Sequence, residues 1–355
     1  MSLFIVIFHL VMLGLFAGNI RYLHLRSKGP AGTRPTGALP FVSIMIPARN
    51  EEVNLRRLLP SLFRQSYPHF EVIVYDDGSG DGTPAVLREL AEPRLKALRG
   101  EGPPEGWVGK VYALYQATRQ ATGEVYLFLD ADAELLEPGA LGRLVEHHQA
   151  MPAPGVLTVL PQYRGGGLLL VSVLPYAMLS GLPWPLVRRL PSRTLGALNG
   201  QCWLISGALY HRHEPHRAVA REVLEDVMMG RYLKSAGVIP TLVEARDTLA
   251  VHMYGSLGEA WAGFRKNAYL LLGGALIPFI PLFALFLVVY TLAPLFGWGP
   301  LVMVYLGKLL SDRKSGMPLW VSLLAPLSFV IASIVQVDSA LAHLRGNVSW
   351  KGRSV

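Results

Sequence analysis

The chain has 355 residues, 51% of them hydrophobic and 16% charged, with a net charge of +8 and one cysteine. Soluble proteins carry about a quarter of charged residues, so this composition, with a mean hydropathy of +0.34, places part of the chain in lipid. Cys202 has neither a disulfide partner nor metal-ligand neighbours at the usual spacing, which leaves a small buried hydrophobe. The basic excess lacks the interleaved arginine and aromatic blocks of a nucleic-acid surface and fits an anionic membrane or a phosphate-bearing substrate better.

Residues 2–20 hold no charge if His9 is neutral, long enough to cross a bilayer. A cleaved signal peptide would want a basic start and a small-x-small site, whereas this start is Met-Ser-Leu, so an uncleaved anchor over 1–26 is expected. Arg21, Arg26 and Lys28 follow, which puts the next segment on the cytoplasmic side. Residues 27–40 are rich in glycine and proline and read as a linker.

From residue 41 the texture alternates. "FVSIMIP", "FEVIVYDD", "EVYLFLDAD" and "GVLTVLP" read as buried strands. "EEVNLRRLLPSLFRQ" (with Asn50 as a possible cap), "TPAVLRELAE", "GKVYALYQATRQAT" and "GALGRLVEHHQA" read as helices between them. Apolar strands alternating with amphipathic helices predict an α/β domain with a mostly parallel sheet. Residues 167–187 are apolar but broken by glycine and proline, and an interfacial segment is expected there rather than a span. Soluble texture continues to 267. Residues 268–340 are lipid-like: 29 uncharged residues from Ala268 suit one tilted span or a Pro-kinked hairpin, "GPLVMVYLGKLL" is short, and "MPLWVSLLAPLSFVIASIVQV" is a further span. No convincing charge sits within these stretches, which argues against a transporter. Residues 341–355 form a basic tail.

Ligands of open parallel sheets bind beyond the carboxyl ends of the strands. Three of the expected strands end in polar sets there: "PARNEE", "YDDGSGDGT" and "LDADAE". Asp130 and Asp132 point the same way along an extended segment and can share one divalent cation, Mg²⁺ or Mn²⁺, with substrate phosphates. "GPPEGWVGKVY" is not a phosphate loop, since Pro104 and Val111 replace the required glycine and hydroxyl residue, and no G-x-G-x-x-G opens a helix. Glu225 and Asp226 fall at the start of a helix, where its dipole favours carboxylates. "HRHEPHR", 211–217, reads as a solvated loop.

Over residues 41–268 these motifs resemble family 2 glycosyltransferases of the GT-A fold. "IPARNEE", "YDDGSGDGT", "GWVGKVYAL", "LDADAE", "NGQCWLIS" and "LEDVMMGRYLKSAG" stand in the family's order. The resemblance implies an inverting transfer from a nucleotide sugar, UDP-linked by preference. It implies donor contacts from Pro47, Arg49, Glu51, Asp76, Asp77, Lys110 and Asp130. A metal would sit on Asp130 and Asp132, Asp226 would be the general base, and Gln201, Glu225 and Trp261 would lie on the acceptor side. Processive synthases carry Gln-x-x-Arg-Trp after the Glu-Asp helix; here Trp261 lacks that Gln and Arg. That favours transfer of a single sugar. "MYGSLGEAWAGFRKN", with the later apolar stretches and "WKGR", resembles carotenoid- and hopanoid-associated members. This subgroup implies a lipid acceptor of terpenoid type reached from the membrane surface; with the apolar stretches and the basic residues after the anchor, a multi-pass membrane enzyme with a cytoplasmic catalytic domain (41–267) is expected. A polysaccharide synthase or polyprenyl-phosphate sugar transferase is the alternative within the fold. A membrane scaffold with a degenerate nucleotide fold is the alternative outside catalysis.

Overall fold

The computed structural model describes residues 1–27 and 38–354, so most of the expected linker lies outside the described residues. The chain forms two compact units, one of 23–161 and 186–251, the other of 1–22, 162–185 and 252–355.

The first unit is built on a seven-stranded sheet. In chain order it holds β1 (Val42–Ala48), α1 (Glu52–Phe63), β2 (Phe70–Asp77), α2 (Thr83–Glu89), β3 (Leu95–Gly100), α3 (Gly109–Thr118) and β4 (Val125–Leu129). There follow β5 (Ala133–Leu135), α4 (Ala140–Ala150), β6 (Gly155–Leu160), β7 (Cys202–Ser206), α5 (Gly207–His213), α6 (Pro215–Ala218), α7 (Glu225–Ser235), β8 (Ile239–Glu244) and β9 (Leu249–Tyr254). The strand order is β3-β2-β1-β4-β7-β6-β8. β1, β2 and β4 are almost wholly buried, as expected for apolar runs with a helix layer on each face. β2, β1 and β4 run parallel, with Ala48 beside Asp76. β7 is inserted antiparallel, pairing Leu129 with Cys202, and β6 then pairs with β8 in parallel. The antiparallel insertion matters. It brings the segment just before β7 to the same edge as the carboxyl ends of β1, β2 and β4.

Several local expectations are corrected. β3 was not expected: Lys96 and Arg99 interrupt its apolar pattern because it is an edge strand with alternating exposure. Asn50 does not cap α1. It takes φ 53°, and its Oδ1 instead accepts the Gly80 N–H at 2.8 Å. Residues 211–217 are no loop but the end of α5 and the start of α6 joined at Glu214, with His216 fully buried. His216 Nδ1 is hydrogen-bonded to the Tyr210 hydroxyl at 2.9 Å, and burial lowers its pKa to about 3.

The second unit is helical. Among the described residues two helices, Ser2–Ser27 and Ala325–Leu344, are long and apolar enough to cross a membrane, or three spans if one bent pair counts as one. That pair, Leu257–Leu271 followed by Leu276–Thr291, bends by 112°. The break falls at Gly273 and Gly274, with φ 107° and 65°, a conformation that other residues rarely adopt. Residues 168–187 form three helices, Leu168–Val171, Val173–Gly181 and Trp184–Val187, none of spanning length. Charge is present after all in the apolar region: on the helix Trp298–Lys314, Lys308 Nζ bonds both Asp312 oxygens at 2.6 Å, and Asp312 also accepts from Ser322 Oγ at 2.8 Å.

Candidate active site

Four segments of the sheet unit meet at one edge. β1 delivers Pro47 and the turn beyond it, where the Arg49 guanidinium donates to the Asp77 carbonyl at 2.7 Å. This ties the ends of β1 and β2 together. β2 delivers Asp76 and Asp77, which are 2% and 4% exposed. Asp76 Oδ1 accepts the Ser79 N–H at 2.9 Å; its Oδ2 is buried with no hydrogen-bond partner among the described residues. Such an acceptor is costly to leave unmet, and it is available to a ligand donor such as a base or ribose.

β4 delivers Asp130. Its backbone N–H donates to the Gln201 carbonyl at 3.0 Å, and its carboxylate receives Lys110 Nζ at 2.7 and 2.9 Å. Lys110, in the first turn of α3, also reaches Glu225 Oε1 at 3.2 Å. Glu225 and Asp226 open α7. The Asp226 carboxylate accepts the Gly200 N–H at 3.1 Å and its neighbour's, Val227, at 2.8 Å. Glu51, whose N–H donates to Thr83 Oγ1 at 2.8 Å, adds its field at Asp130.

The electrostatics follow from crowding. Burial lifts Asp130 above the usual carboxylate range against the pull of Lys110, with Glu225 and Glu51 adding to the rise. Burial, then Glu225, pushes Asp226 up to about 6, against Lys110 and the two amides. Burial would lower Lys110, but Asp130, Glu225 and Asp226 outweigh it and hold the ammonium charged. One cation thus serves several carboxylates. Among the described residues no group of three or more His, Cys, Asp or Glu is arranged to hold a metal. Asp130 and Asp132 flank a turn rather than the expected extended segment, and they are carboxylates of the kind that hold a hard divalent ion together with substrate phosphates.

The expected residues are therefore placed as follows. Pro47, Arg49, Glu51, Asp76, Asp77, Lys110, Asp130, Asp132, Gln201, Glu225 and Asp226 all belong to the sheet unit, most of them at its carboxyl edge. Trp261 belongs to the helical unit, where its indole N–H donates to Asp338 at 2.8 Å. Trp107 packs on Tyr112 and Tyr115, with ring centroids 5.5 and 5.0 Å away. Trp203 stacks on Phe128 at 4.0 Å. Trp203 belongs to the core, whereas Trp107 is partly buried and packs against it. Sequence reasoning missed Gly200 and Asn199. The latter pins its loop by donating its N–H to Thr158 Oγ1 at 2.7 Å and its side-chain amide to the Val159 carbonyl at 2.8 Å. Their signal was the Asn-Gly that opens the quoted stretch "NGQCWLIS" just before a strand.

Known proteins resemble this chain in two ways. It is 29% identical over 232 residues to the 4,4'-diaponeurosporenoate glycosyltransferase of Staphylococcus aureus (strain MRSA252), covering 62% of this chain and 59% of that one. It is 26% identical over 222 residues to the same-named enzyme of Staphylococcus haemolyticus (strain JCSC1435), covering 60% and 56%. The chain thus spans less than two thirds of the curated relatives it matches. Its fold is similar to that of a mannosyltransferase from Pyrobaculum calidifontis solved in complex with GDP-Man and Mn²⁺, with TM-score 0.53, 19% identity, and 99% and 100% of the two chains covered. That likeness bears out the GT-A fold. The glycosyl transferase family 2 model matches residues 43–212, the stretch that supplies β1, β2, β4 and the loop before β7, so over these residues the chain is similar to that family.

Proposed function

We propose that this chain is a membrane-associated, metal-dependent, inverting glycosyltransferase. It moves a single sugar from a nucleotide-sugar donor of UDP-glucose type to the hydroxyl or carboxyl of a membrane lipid, of terpenoid or carotenoid class. The observation that carries the reading is the meeting of Asp130, Lys110, Glu225 and Asp226 at the carboxyl edge of the sheet. The names of the curated relatives support the acceptor class, and the two long apolar helices support a membrane setting. The basic residues after the first of these helices favour a cytoplasmic catalytic unit.

In this reading Asp76 and Asp77 bind the base or ribose, and Arg49 holds their strand end in place. Lys110 faces the diphosphate and offsets its charge. A divalent ion on Asp130 and Asp132 would supply further stabilisation of the leaving diphosphate. The acceptor oxygen attacks the anomeric carbon as the bond from that carbon to the diphosphate oxygen breaks, and the bonding pair leaves with the nucleoside diphosphate. For a hydroxyl acceptor, Asp226 takes the proton.

The test is nucleoside diphosphate release from UDP-glucose by the purified full chain in detergent, with Mn²⁺ or EDTA, with and without a total lipid extract. Release is expected only with metal and lipid present. Failure of any nucleotide sugar to bind with metal present would replace the enzyme reading with the scaffold one.

A further inference from the structure

Asn199, Gly200 and Gln201 form a bridge between the two carboxylates that matter most at this edge. The Gln201 carbonyl accepts the Asp130 N–H at 3.0 Å, and the Gly200 N–H donates to Asp226 Oδ2 at 3.1 Å. The bridge is itself anchored from below by Asn199 on Thr158 and Val159, and the Leu198 N–H donates to the Asp226 carbonyl at 3.3 Å. α7 sits unusually close to this segment because two glycines face each other. A side-chain carbon on Gly230 would run into the Ala197 backbone, and one on Gly196 into the Gly230 carbonyl. At Gly200 a side-chain carbon would lie 3.2 Å from Asp226 Cβ, 3.3 Å from Asp226 Oδ2 and 3.4 Å from Lys110 Nζ. That point lies against both the carboxylate and the ammonium of the site.

We propose that Gly200 is a positioning residue for the transfer, a role that rests on the glycosyltransferase reading above. Its amide fixes the rotation of the Asp226 carboxylate. Its missing side chain leaves open the space beside Oδ2 in which the acceptor's nucleophilic oxygen meets the base. A methyl there displaces the carboxylate by a few tenths of an ångström and narrows the acceptor's approach, while Lys110 Nζ, at 3.4 Å, stays at ordinary contact distance and the donor contacts at Asp76, Asp77 and Arg49 stay as they are. Misplacement on this scale at a reacting centre costs about ten- to a hundredfold in rate.

The experiment compares wild type and Gly200→Ala, as full chains in detergent, for donor KM, acceptor KM, kcat and nucleoside diphosphate affinity by calorimetry. The expected result is a kcat lowered about tenfold or more and a raised acceptor KM, with donor KM and diphosphate affinity within about twofold of wild type. A kcat within twofold of wild type overturns the proposal. So does a parallel loss of diphosphate affinity, which would assign the glycine to the donor site or to folding. Thr158→Val, which removes the acceptor of the Asn199 N–H, provides the same split in milder form if Gly200→Ala does not fold; a Thr158→Val enzyme with unchanged kcat then refutes it. Absence of transfer by wild type with every donor tried would instead remove the glycosyltransferase reading itself.

Discussion

Asp226→Asn should make the protein inactive and, above pH 6, more stable. The Asp226 carboxyl is lifted to about 6 by burial and by Glu225, whereas an unfolded aspartate titrates near 3.9. The folded state therefore prefers the neutral acid. Its stability is whole below about pH 3.9 and is lost as pH rises through about 6. A gap of about two units corresponds to about 3 kcal/mol, a ceiling for this half-buried group. Asparagine is neutral throughout and escapes that cost, but it keeps only one good acceptor for the Gly200 and Val227 amides, a loss of about 1 kcal/mol. The net gain at pH 8 is about 2 kcal/mol, or about 4 to 8 °C in Tm. At pH 4 the sign reverses, because only the lost acceptor remains. Melting curves of both full chains in detergent with EDTA, at pH 4 and pH 8, measure this directly. A variant that melts lower at pH 8, or by the same difference at both pH values, would refute the assignment of the burden to Asp226. Wild-type kcat/KM should meanwhile fall tenfold per pH unit below about 6, as the base takes up its proton.

Two further substitutions separate charge from scaffold. Lys110→Met removes the cation that holds Asp226 down, so the acid limb of the pH–rate profile should move up by about one unit or more and diphosphate affinity should fall; an unmoved limb would mean that Lys110 does not reach the base. Glu71→Ala acts at the other end of β2, where Glu71 accepts from Ser43 Oγ at 2.6 Å and from the Thr122 N–H and hydroxyl at 2.8 and 2.9 Å, and pairs with Lys96 at 2.6 Å. Denaturant titration should show a loss of about 3 kcal/mol with activity per folded molecule unchanged. Glu71 titrates below the usual glutamate range because Lys96, Ser43 and Thr122 outweigh its burial. Its contribution is therefore present above about pH 4.3 and lost as pH falls through the lowered value, so the variant's deficit should shrink in acid.

The strands that carry the site were legible because buried parallel strands are continuous apolar runs, and each of β1, β2 and β4 ends abruptly in polar residues. β3 was not, since an edge strand half in solvent keeps Lys96 and Arg99. The direction of β7 was not legible either. "CWLIS" reads as a strand whichever way it runs, and only chain reversal before it brings residues 199–201 to the carboxyl edge. Gly200 contributes a backbone amide and an empty space, and neither has a side-chain signature. In the apolar region prolines drew attention as the break, but Pro281 lies inside a helix and the 112° bend falls on Gly273 and Gly274. Lys308 and Asp312 went unnoticed as a pair because their charges cancel at i, i+4 spacing, fully buried.

The crowding at the sheet edge links stability to ligand binding. The carboxyl groups of Asp130, Glu225, Asp226 and Glu51 crowd around the ammonium of Lys110, and burial raises both Asp130 and Asp226. Left alone, such a site weakens the fold that holds it. A nucleoside diphosphate adds more negative charge, so its binding to this edge is unfavourable unless cationic charge enters with it. In the proposed transferase, this surplus of carboxylate is the reason diphosphate binding is expected to require a divalent ion. Burial and Glu225 also raise Asp226 to about 6, a value that suits the base role proposed for it. Replacing these carboxylates by neutral residues would relieve the fold and remove both properties at once, which is the expected trade between stability and activity at a preorganised site.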